Sequence, residues 1–355
     1  MKKILFPFRF NNLKIILKYP EKNPKEFMYG MYELKKKNIY IVDYLLEPRE
    51  RGNLKRLLLW SFEQPFVKLV KLGIPFGIYW FHKKKYENID TIVCINDAIS
   101  FSILFWKIFG FIDSRVITLF QSLSERHNKF FKNNNFIIWI IKKLLGSSDK
   151  ILVLSSSAKY ELSKVFKIPL ENIEVFYFGA DLSYWKYKEF RFEERGYILA
   201  VGNDMNRDYK TLCKVVSGKY KTIIVTTNKI SCKGVEIKSG ITNDELLELY
   251  HGARIIITPS IKLLTESSGL STTVQAMACG TPVLVSDSPA MRELFKEDEE
   301  IFYFEPEKSE NLEKKLNELW GNNLLLERVS KNGRAIIENK FNSINMAKQL
   351  DEIIQ

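Results

Sequence analysis

Short runs rich in Ile, Val, Leu and Phe alternate along this chain with longer stretches whose apolar residues recur at helical spacing. In the first half, residues 3–6, 39–44, 91–95, 116–120, 151–154 and 173–178 read as strands, being short, β-branched or aromatic, and bounded by polar or turn residues. Residues 24–37, 54–72, 98–109, 128–145 and 156–166, between them, are long enough for helices. The pattern pauses at Gly179-Ala180-Asp181, and a charged, aromatic stretch runs on to Gly196. A second set then begins, with strands predicted at 197–201, 222–226, 234–237, 255–258, 282–286 and 301–304. Its helices are predicted at 209–216, 243–250, 272–279, 289–295, 309–320 and 324–339.

Alternation of this kind implies parallel sheets covered by helices on both faces. Two sets in tandem predict two doubly wound α/β domains whose strand carboxyl ends face one shared cleft, where open sheets of this type bind ligands. A length of 355 residues also favours two cores over one. The expected boundaries are 1–181 for a first domain and 182–196 for a linker. Residues 197–340 form the second domain, and 341–355 a C-terminal helix packing back toward the first.

Charge divides the chain unevenly. Residues 1–150 carry 27 Lys and Arg against 13 Asp and Glu, a net +14, whereas the whole chain stands at +12. The first half therefore holds the entire excess, which predicts a polyanionic partner for it. The same 150 residues hold 27 of the 47 aromatic residues, often beside Lys, as in Phe105-Trp106-Lys107 and Trp139-Ile140-Ile141-Lys142-Lys143. Aromatic, aliphatic and Lys side chains interleaved in this way suit a helix lying among lipid headgroups. An anionic membrane surface is thus the expected partner rather than nucleic acid, with a solvated basic face over an ordinary aromatic core as the plain alternative. Lys107, Lys142 and Lys143 interrupt the longest apolar runs, so no bilayer-spanning helix is expected. The start, Met1-Lys2-Lys3-Ile4-Leu5-Phe6-Pro7, is too short an apolar run for a signal peptide. The expectation is a cytoplasmic protein, peripheral on the inner face of the cell membrane. Cys94, Cys213, Cys232 and Cys279 are widely spaced and lack a C-x-x-C pattern, so buried free thiols are expected, with no metal and no cofactor.

The chemistry is concentrated in two segments of the second half. Thr258-Pro259-Ser260 ends a strand; Glu266-Ser267-Ser268-Gly269-Leu270-Ser271-Thr272-Thr273-Val274-Gln275 then leads through a polar loop into a helix, and Ala276-Met277-Ala278-Cys279-Gly280-Thr281-Pro282-Val283 closes it. A loop feeding a helix start offers free backbone N–H groups and the positive end of the helix dipole, both suited to phosphate. Gly269 permits close backbone approach, and Ser268, Ser271 and Thr272 add hydroxyls. A polar loop of any βαβ unit remains an alternative. The other segment is Val201-Gly202-Asn203-Asp204-Met205-Asn206-Arg207-Asp208-Tyr209-Lys210, where Arg207 offers a fork of donors matched to phosphate oxygens.

Together these segments resemble the family-4 retaining glycosyltransferases (glycosyl transferases group 1), over roughly residues 178–295. Their donor motif runs from Pro-Ser through Glu-x-Phe-Gly-Leu to a second Glu and Ala-Met-Ala-x-Gly-x-Pro-Val. Here the front is Glu266-Ser267-Ser268-Gly269-Leu270, one residue is inserted, and the second Glu is Gln275. An amide can still donate to and accept from a ribose diol. Thr272 and Gln275 forming a helix capping box is the competing reading. Asn203 stands where many relatives carry Arg, and Phe178-Gly179-Ala180-Asp181 is a variant of the family's Asn-Gly-Val-Asp.

The resemblance implies a GT-B fold, two Rossmann-like domains facing a central cleft. It also implies transfer of a sugar, with retention and without metal, from a nucleotide-sugar donor to a glycan or lipid-linked acceptor in cell-surface polysaccharide or glycolipid assembly. Gly202, Asn203, Arg207, Lys210, Ser268, Gly269, Leu270, Ser271, Thr272 and Gln275 are the donor-binding candidates it carries over. Arg207 and Glu266, with Ser267 as the alternative to Glu266, face the reacting sugar and diphosphate. Relatives place a His or Asp of the first domain near the sugar; Gln121 stands where His is common, and His127 and Asp97 are the titratable candidates. The competing function is a catalytically degenerate GT-B protein serving as a membrane-associated scaffold or partner subunit, motivated by Gln275, Asn203 and Gln121.

Overall fold

The computed structural model describes residues 1–9, 13–47, 61, 63–65, 67–68, 70–189, 191–263, 265 and 268–355. The chain divides into two compact units, Met1–Tyr177 with Ala347–Gln355, and Phe178–Met346. Each is built on one six-stranded parallel sheet, described in turn.

In the first unit the strands are β1 (Lys2–Phe8), β2 (Tyr40–Leu46), β3 (Thr91–Cys94), β4 (Arg115–Phe120), β5 (Lys150–Val153) and β6 (Ile173–Val175), in the order β2-β1-β3-β4-β5-β6. β1 and β2 align Lys2 with Tyr40 through Phe8 with Leu46. Central strands such as β3 and β4 are apolar on both faces, because helices cover both. Ile92, Cys94, Val116, Phe120 and Val153 pack there against Ile99, Phe101, Leu104, Leu144 and Phe166.

Two helices expected as continuous are broken here. Residues 24–37 resolve into a 3₁₀ turn, Glu26–Met28, and a helix, Met31–Lys35, because Tyr29 and Gly30 turn left-handed (φ 49° and 86°). Residues 128–145 split into a π turn, His127–Phe131, and a helix, Asn135–Leu145, restarted by the Asn134 side chain accepting from Ile137 N–H. The helix expected at 54–72 lies mostly outside the described residues.

The last turns of the helix Ser343–Ile354 belong to this unit. Lys2 Nζ donates to the carbonyls of Ile354 and Gln355 at 3.1 Å, and Arg115 donates to those of Ile353 and Ile354 at 2.9 Å. Cations therefore meet the negative end of the helix, satisfying carbonyls that have no partner within it. Asp351 accepts from Tyr40 Oη at 2.6 Å and pairs with Lys37.

The second unit carries β7 (Tyr197–Val201), β8 (Thr222–Val225), β9 (Glu236–Lys238), β10 (Ala253–Thr258), β11 (Val283–Ser286) and β12 (Phe302–Phe304), in the order β12-β11-β10-β7-β8-β9. Counted within the unit this is 3-2-1-4-5-6, the Rossmann order, and its switch point lies between β7 and β10. Residues 182–196, expected as a linker, are folded into this unit. Trp185 is fully buried against Tyr250, Phe192 joins the core, and the Arg195 guanidinium donates to Ala253 O and Thr281 Oγ1. Burial lowers the Arg195 pKa to about 9.

The expectation of four free thiols is also corrected. Cys94 and Cys279 are buried and outside any disulfide, but Cys213 and Cys232 are joined in one across 19 residues. The pairing joins a helix to a loop, and spacing alone does not signal it.

Candidate functional site

At the switch point of the second sheet, the loops leaving β7 and β10 are stitched together. Arg207 and Ser260 form an antiparallel bridge, Asp208 N–H donates to Pro259 O at 3.1 Å, and Ile261 N–H donates to Asn206 O at 2.9 Å. Arg207 is thereby carried over the end of β10, and its side chain is 3% exposed. It lies against two glycines with positive φ. A Cβ at Gly202 (φ 152°) would come within 2.1 Å of Arg207 Nε, and one at Gly269 (φ 88°) within 2.8 Å of Nη1. Both positions require a residue without a side chain.

The guanidinium is only partly neutralised. Nε stands 2.8 Å from Asp204 Oδ2, an ion-pair distance without hydrogen-bond alignment, while Nη1 is buried with no hydrogen-bond partner among the described residues. The hydroxyl of Thr258, a residue 1% exposed, likewise has no hydrogen-bond partner among the described residues, and its methyl is what a Gly269 Cβ would strike at 2.1 Å. Buried donors without acceptors are costly, and a cationic one most of all. Gly269 is the N-cap of the helix Leu270–Ala278 and no side chain caps it. An unpaired guanidinium nitrogen beside an uncapped helix start is an arrangement suited to phosphate oxygens.

The remaining donor candidates divide around this centre. Ser268 Oγ donates to Asp204 Oδ1 at 2.9 Å, joining the two loops a second time. Asn203 Oδ1 accepts from Thr227 N–H at 2.6 Å, and Gly202 O accepts from Tyr209 Oη and Thr226 Oγ1, both at 2.7 Å. Leu270 is buried and Ser271 half-buried in the first helical turn. Thr272 Oγ1 points back to Val201 O at 3.4 Å, and the Gln275 amide oxygen accepts from Tyr250 Oη at 3.1 Å. The Thr272–Gln275 capping box is thus not formed, because the helix begins two residues earlier. Lys210 lines a different cavity, one to which neither Gly202, Arg207 nor Gly269 contributes. Glu266 and Ser267 lie outside the described residues.

Sequence reasoning missed Asp204, which ties Arg207 to Ser268, and Tyr250, which fixes Gln275. The signal for Asp204 was its place three residues before Arg207 in the same turn; nothing near Tyr250 marked it.

In the first unit, Asp97 opens the helix Asp97–Ile108 beside that sheet's own switch point, between β1 and β3. Its carboxylate accepts from Gln121 N–H at 2.7 Å and from Ser122 N–H and Oγ at 3.3 and 3.0 Å. Burial raises its pKa, while these hydrogen bonds and Arg126 oppose the rise. Gln121 Nε2 donates to Tyr29 Oη and Ile95 O, both at 2.8 Å. Asp97 therefore binds the turn after β4 to the helix after β3. His127 is not in this network: its ring, 5% exposed, packs edge-on against Phe131 and Phe166, and burial lowers its pKa. Among the described residues, no cluster of three or more His, Cys, Asp or Glu side chains could hold a metal, and no helix is long and apolar enough to cross a membrane.

Two six-stranded parallel sheets, the second in Rossmann order with a glycine-clasped arginine at its switch point, define a two-domain α/β protein of the GT-B class. Residues 220–336, all within the second unit, match the family model of the glycosyl transferases group 1. The O-antigen chain mannosyltransferase RfbU of Salmonella typhimurium is 29% identical over 173 residues, covering 44% of this chain and 47% of the relative. The chain thus matches about half the length of that relative. Among solved structures, HepE of Anabaena with UDP and glucose superposes with a TM-score of 0.71 at 14% identity, over 100% of this chain and 99% of that one. Sucrose-phosphate synthase of Thermosynechococcus elongatus gives 0.71 at 15% identity over 99% and 98%. These likenesses establish the fold.

Proposed function

We propose that the protein is a glycosyltransferase that moves a hexosyl group from a nucleotide-sugar donor to a glycan or lipid-linked glycan acceptor in surface polysaccharide assembly. The observation that carries the reading is the Arg207 guanidinium held between Gly202 and Gly269, with Nη1 buried and, among the described residues, without a hydrogen-bond partner next to an uncapped helix start. In such a transfer the bond from the anomeric carbon to the donor phosphate oxygen breaks as the acceptor oxygen bonds to that carbon. Negative charge then builds on the departing diphosphate. A fixed cation and backbone N–H groups stabilise that charge without reorganising, and this reading needs no resident metal. Transfer with retention follows the family resemblance. The family match and the mannosyltransferase relative favour a hexose donor; the relative named for UDP and glucose favours UDP as the first nucleotide to try.

The acceptor is proposed to lie at a membrane. In the first unit the helix Asn135–Leu145 buries Ile137, Ile141, Leu144 and Leu145, yet exposes Phe136 and Trp139, stacked at 6.2 Å, with Lys142 and Lys143. Phe109, Phe111 and Trp80 are also exposed, and Lys83 Nζ sits 4.4 Å from the Trp80 ring. Exposed aromatics with amines beside them favour an anionic lipid surface on the cytoplasmic side.

The test is thermal stabilisation of the whole protein by a panel of UDP-, GDP-, ADP- and CDP-sugars, since a ligand specific to the native state raises its stability. One nucleotide class should stabilise, and Arg207→Ala should weaken affinity or turnover roughly ten- to a thousandfold. A folded Arg207→Ala protein with unchanged donor kinetics would remove the residue from the site. No response to any nucleotide-sugar would favour the scaffold reading.

A further inference from the structure

The Cys213–Cys232 disulfide forms part of the wall of a 520 Å³ cavity between the helix Tyr209–Val216 and the loop after β8. Three lysines, Lys210, Lys214 and Lys233, line the same cavity, together with Ser217 and Ser231, and no acidic residue does. All three lysines are exposed, and among the described residues none has a carboxylate within ion-pair distance. Cys213 and Cys232 are half-buried residues, whereas Cys94 and Cys279 are fully buried.

This arrangement gives the pair both reactivity and a choice of reaction partner. The thiolate is the form of cysteine that attacks a disulfide, and nearby ammonium groups favour it. The same groups attract an anionic reagent and repel a cationic one. We propose that Cys213 and Cys232 are a reversible dithiol–disulfide pair, and that the lysine-lined cavity is the docking site for an anionic low-molecular-weight disulfide or thiol that exchanges with it. In the oxidising direction one cysteine thiolate attacks a sulfur of the reagent, forming a mixed disulfide and releasing one reagent thiolate. The second cysteine thiolate then attacks the protein sulfur of that mixed disulfide and releases the other. Two protein thiols and one reagent disulfide become one protein disulfide and two reagent thiols, and reduction runs the same steps backwards.

The pair is joined to the donor turn at both ends. The helix bearing Cys213 starts directly after Arg207 and Asp208, and the loop bearing Cys232 begins with Thr226, Thr227 and Asn228. Those three donate to Gly202 O, Asn203 Oδ1 and Asp204 O at 2.7, 2.6 and 3.4 Å. Opening the disulfide frees the far end of a loop whose near end braces the turn that carries Arg207. This coupling rests on the donor-site reading; the exchange chemistry does not.

The experiment uses the full chain, reduced and desalted, then exposed to oxidised glutathione, which is anionic, or to cystamine, which is cationic. Samples are acid-quenched and alkylated, and peptide mass spectrometry follows the state of Cys213 and Cys232. Each rate is referred to that of the same reagent with the urea-unfolded chain. At low ionic strength oxidised glutathione should close the pair at least tenfold faster than cystamine on this scale. High salt should erase the preference, and Lys214→Glu with Lys233→Glu should reverse it. Equal referred rates for the two reagents in the wild-type chain, or cysteines that remain alkylatable throughout, would overturn the proposal. UDP should bind the oxidised protein at least threefold more tightly than the reduced one, and equal affinity would overturn the coupling. Absence of UDP binding in both forms would count against the donor reading, with the mass measurement still deciding the exchange.

Discussion

Placing a methyl group at Gly269 tests whether the donor turn depends on contact between its backbone and Arg207. Gly269→Ala imposes two separate costs. The backbone stands at φ 88°, a left-handed region that costs a residue with a Cβ about 1–2 kcal/mol. The new Cβ would also lie 2.1 Å from the Thr258 methyl and 2.8 Å from Arg207 Nη1, so one of them must move, and overpacking of this kind costs about 1–3 kcal/mol. The total is about 2–5 kcal/mol. Gly218→Ala is the control, because Gly218 has a similar φ of 71° but nothing within 4 Å of the added atom, so only the backbone cost of about 1–2 kcal/mol remains. Urea unfolding of the three proteins gives the stabilities, and titration with the stabilising nucleotide gives the affinities. Displacing Arg207 by about 1 Å should weaken nucleotide binding by roughly a hundredfold in Gly269→Ala, with no change in Gly218→Ala. Equal stability losses in the two variants, or unaltered nucleotide affinity in a folded Gly269→Ala protein, would show that Arg207 is not held by this glycine.

Cys213→Ser removes a bond that closes a loop across 19 residues, and the chain-entropy model gives a loss of about 3 kcal/mol in the oxidised protein, read as the difference in urea midpoint from wild type; the same substitution should cost far less under reducing conditions. Burial depresses the His127 pKa below its ordinary 6.5, so its neutral form supports the fold above about pH 6.5, and that support is lost as pH falls through the lower folded-state value. His127→Phe should therefore flatten the decline in stability between about pH 6.5 and 5 while leaving turnover at neutral pH unchanged; an intact decline would reassign it to other groups. Vesicles containing anionic lipid should bind the protein better than neutral ones, with partial release by salt, and Lys142→Glu with Lys143→Glu should abolish the anionic preference. Equal, negligible binding to both vesicle types at low salt would favour a soluble acceptor.

Strand positions in both units were legible because the central strands are apolar on both faces and end at polar or turn residues. Ser156–Phe166, Tyr209–Val216 and Ser309–Trp320 begin and end where periodicity places them. Breaks within periodic stretches were not legible. Tyr29 adopts a left-handed conformation that no side-chain pattern announces, and the π turn at His127–Phe131 keeps an apolar spacing compatible with a continuous helix. The stretch after Gly179 read as a linker because of its charge. Its anchors are aromatic, Trp185 and Phe192, and Arg195 is held by carbonyl groups that a sequence does not display. At the site, the glycine-to-arginine contacts follow from loops brought together by the β7–β10 switch, so Gly202, Gly269 and Arg207 could each be named from sequence but not their mutual contact.

The departures from the family pattern at the donor site argue against loss of function when taken as a pair. Asn203 replaces a position where the resemblance implies a cation, and Gln275 one where it implies a carboxylate. One positive and one negative formal charge are removed together, so the balance facing a diphosphate is preserved. Both replacements are also held in specific hydrogen bonds: Asn203 Oδ1 accepts from Thr227 N–H, and the Gln275 oxygen, in a side chain only 6% exposed, accepts from Tyr250 Oη. A carboxylate this deeply buried would require compensation by a cation, whereas a neutral amide bonded to Tyr250 needs none. Arg207, by contrast, keeps its charge, its close-packed glycines and, among the described residues, a buried nitrogen without a hydrogen-bond partner, although a buried unsatisfied donor destabilises a fold. Arg207 standing beside two neutral, well-bonded replacements supports the proposed donor site, with altered nucleotide contacts.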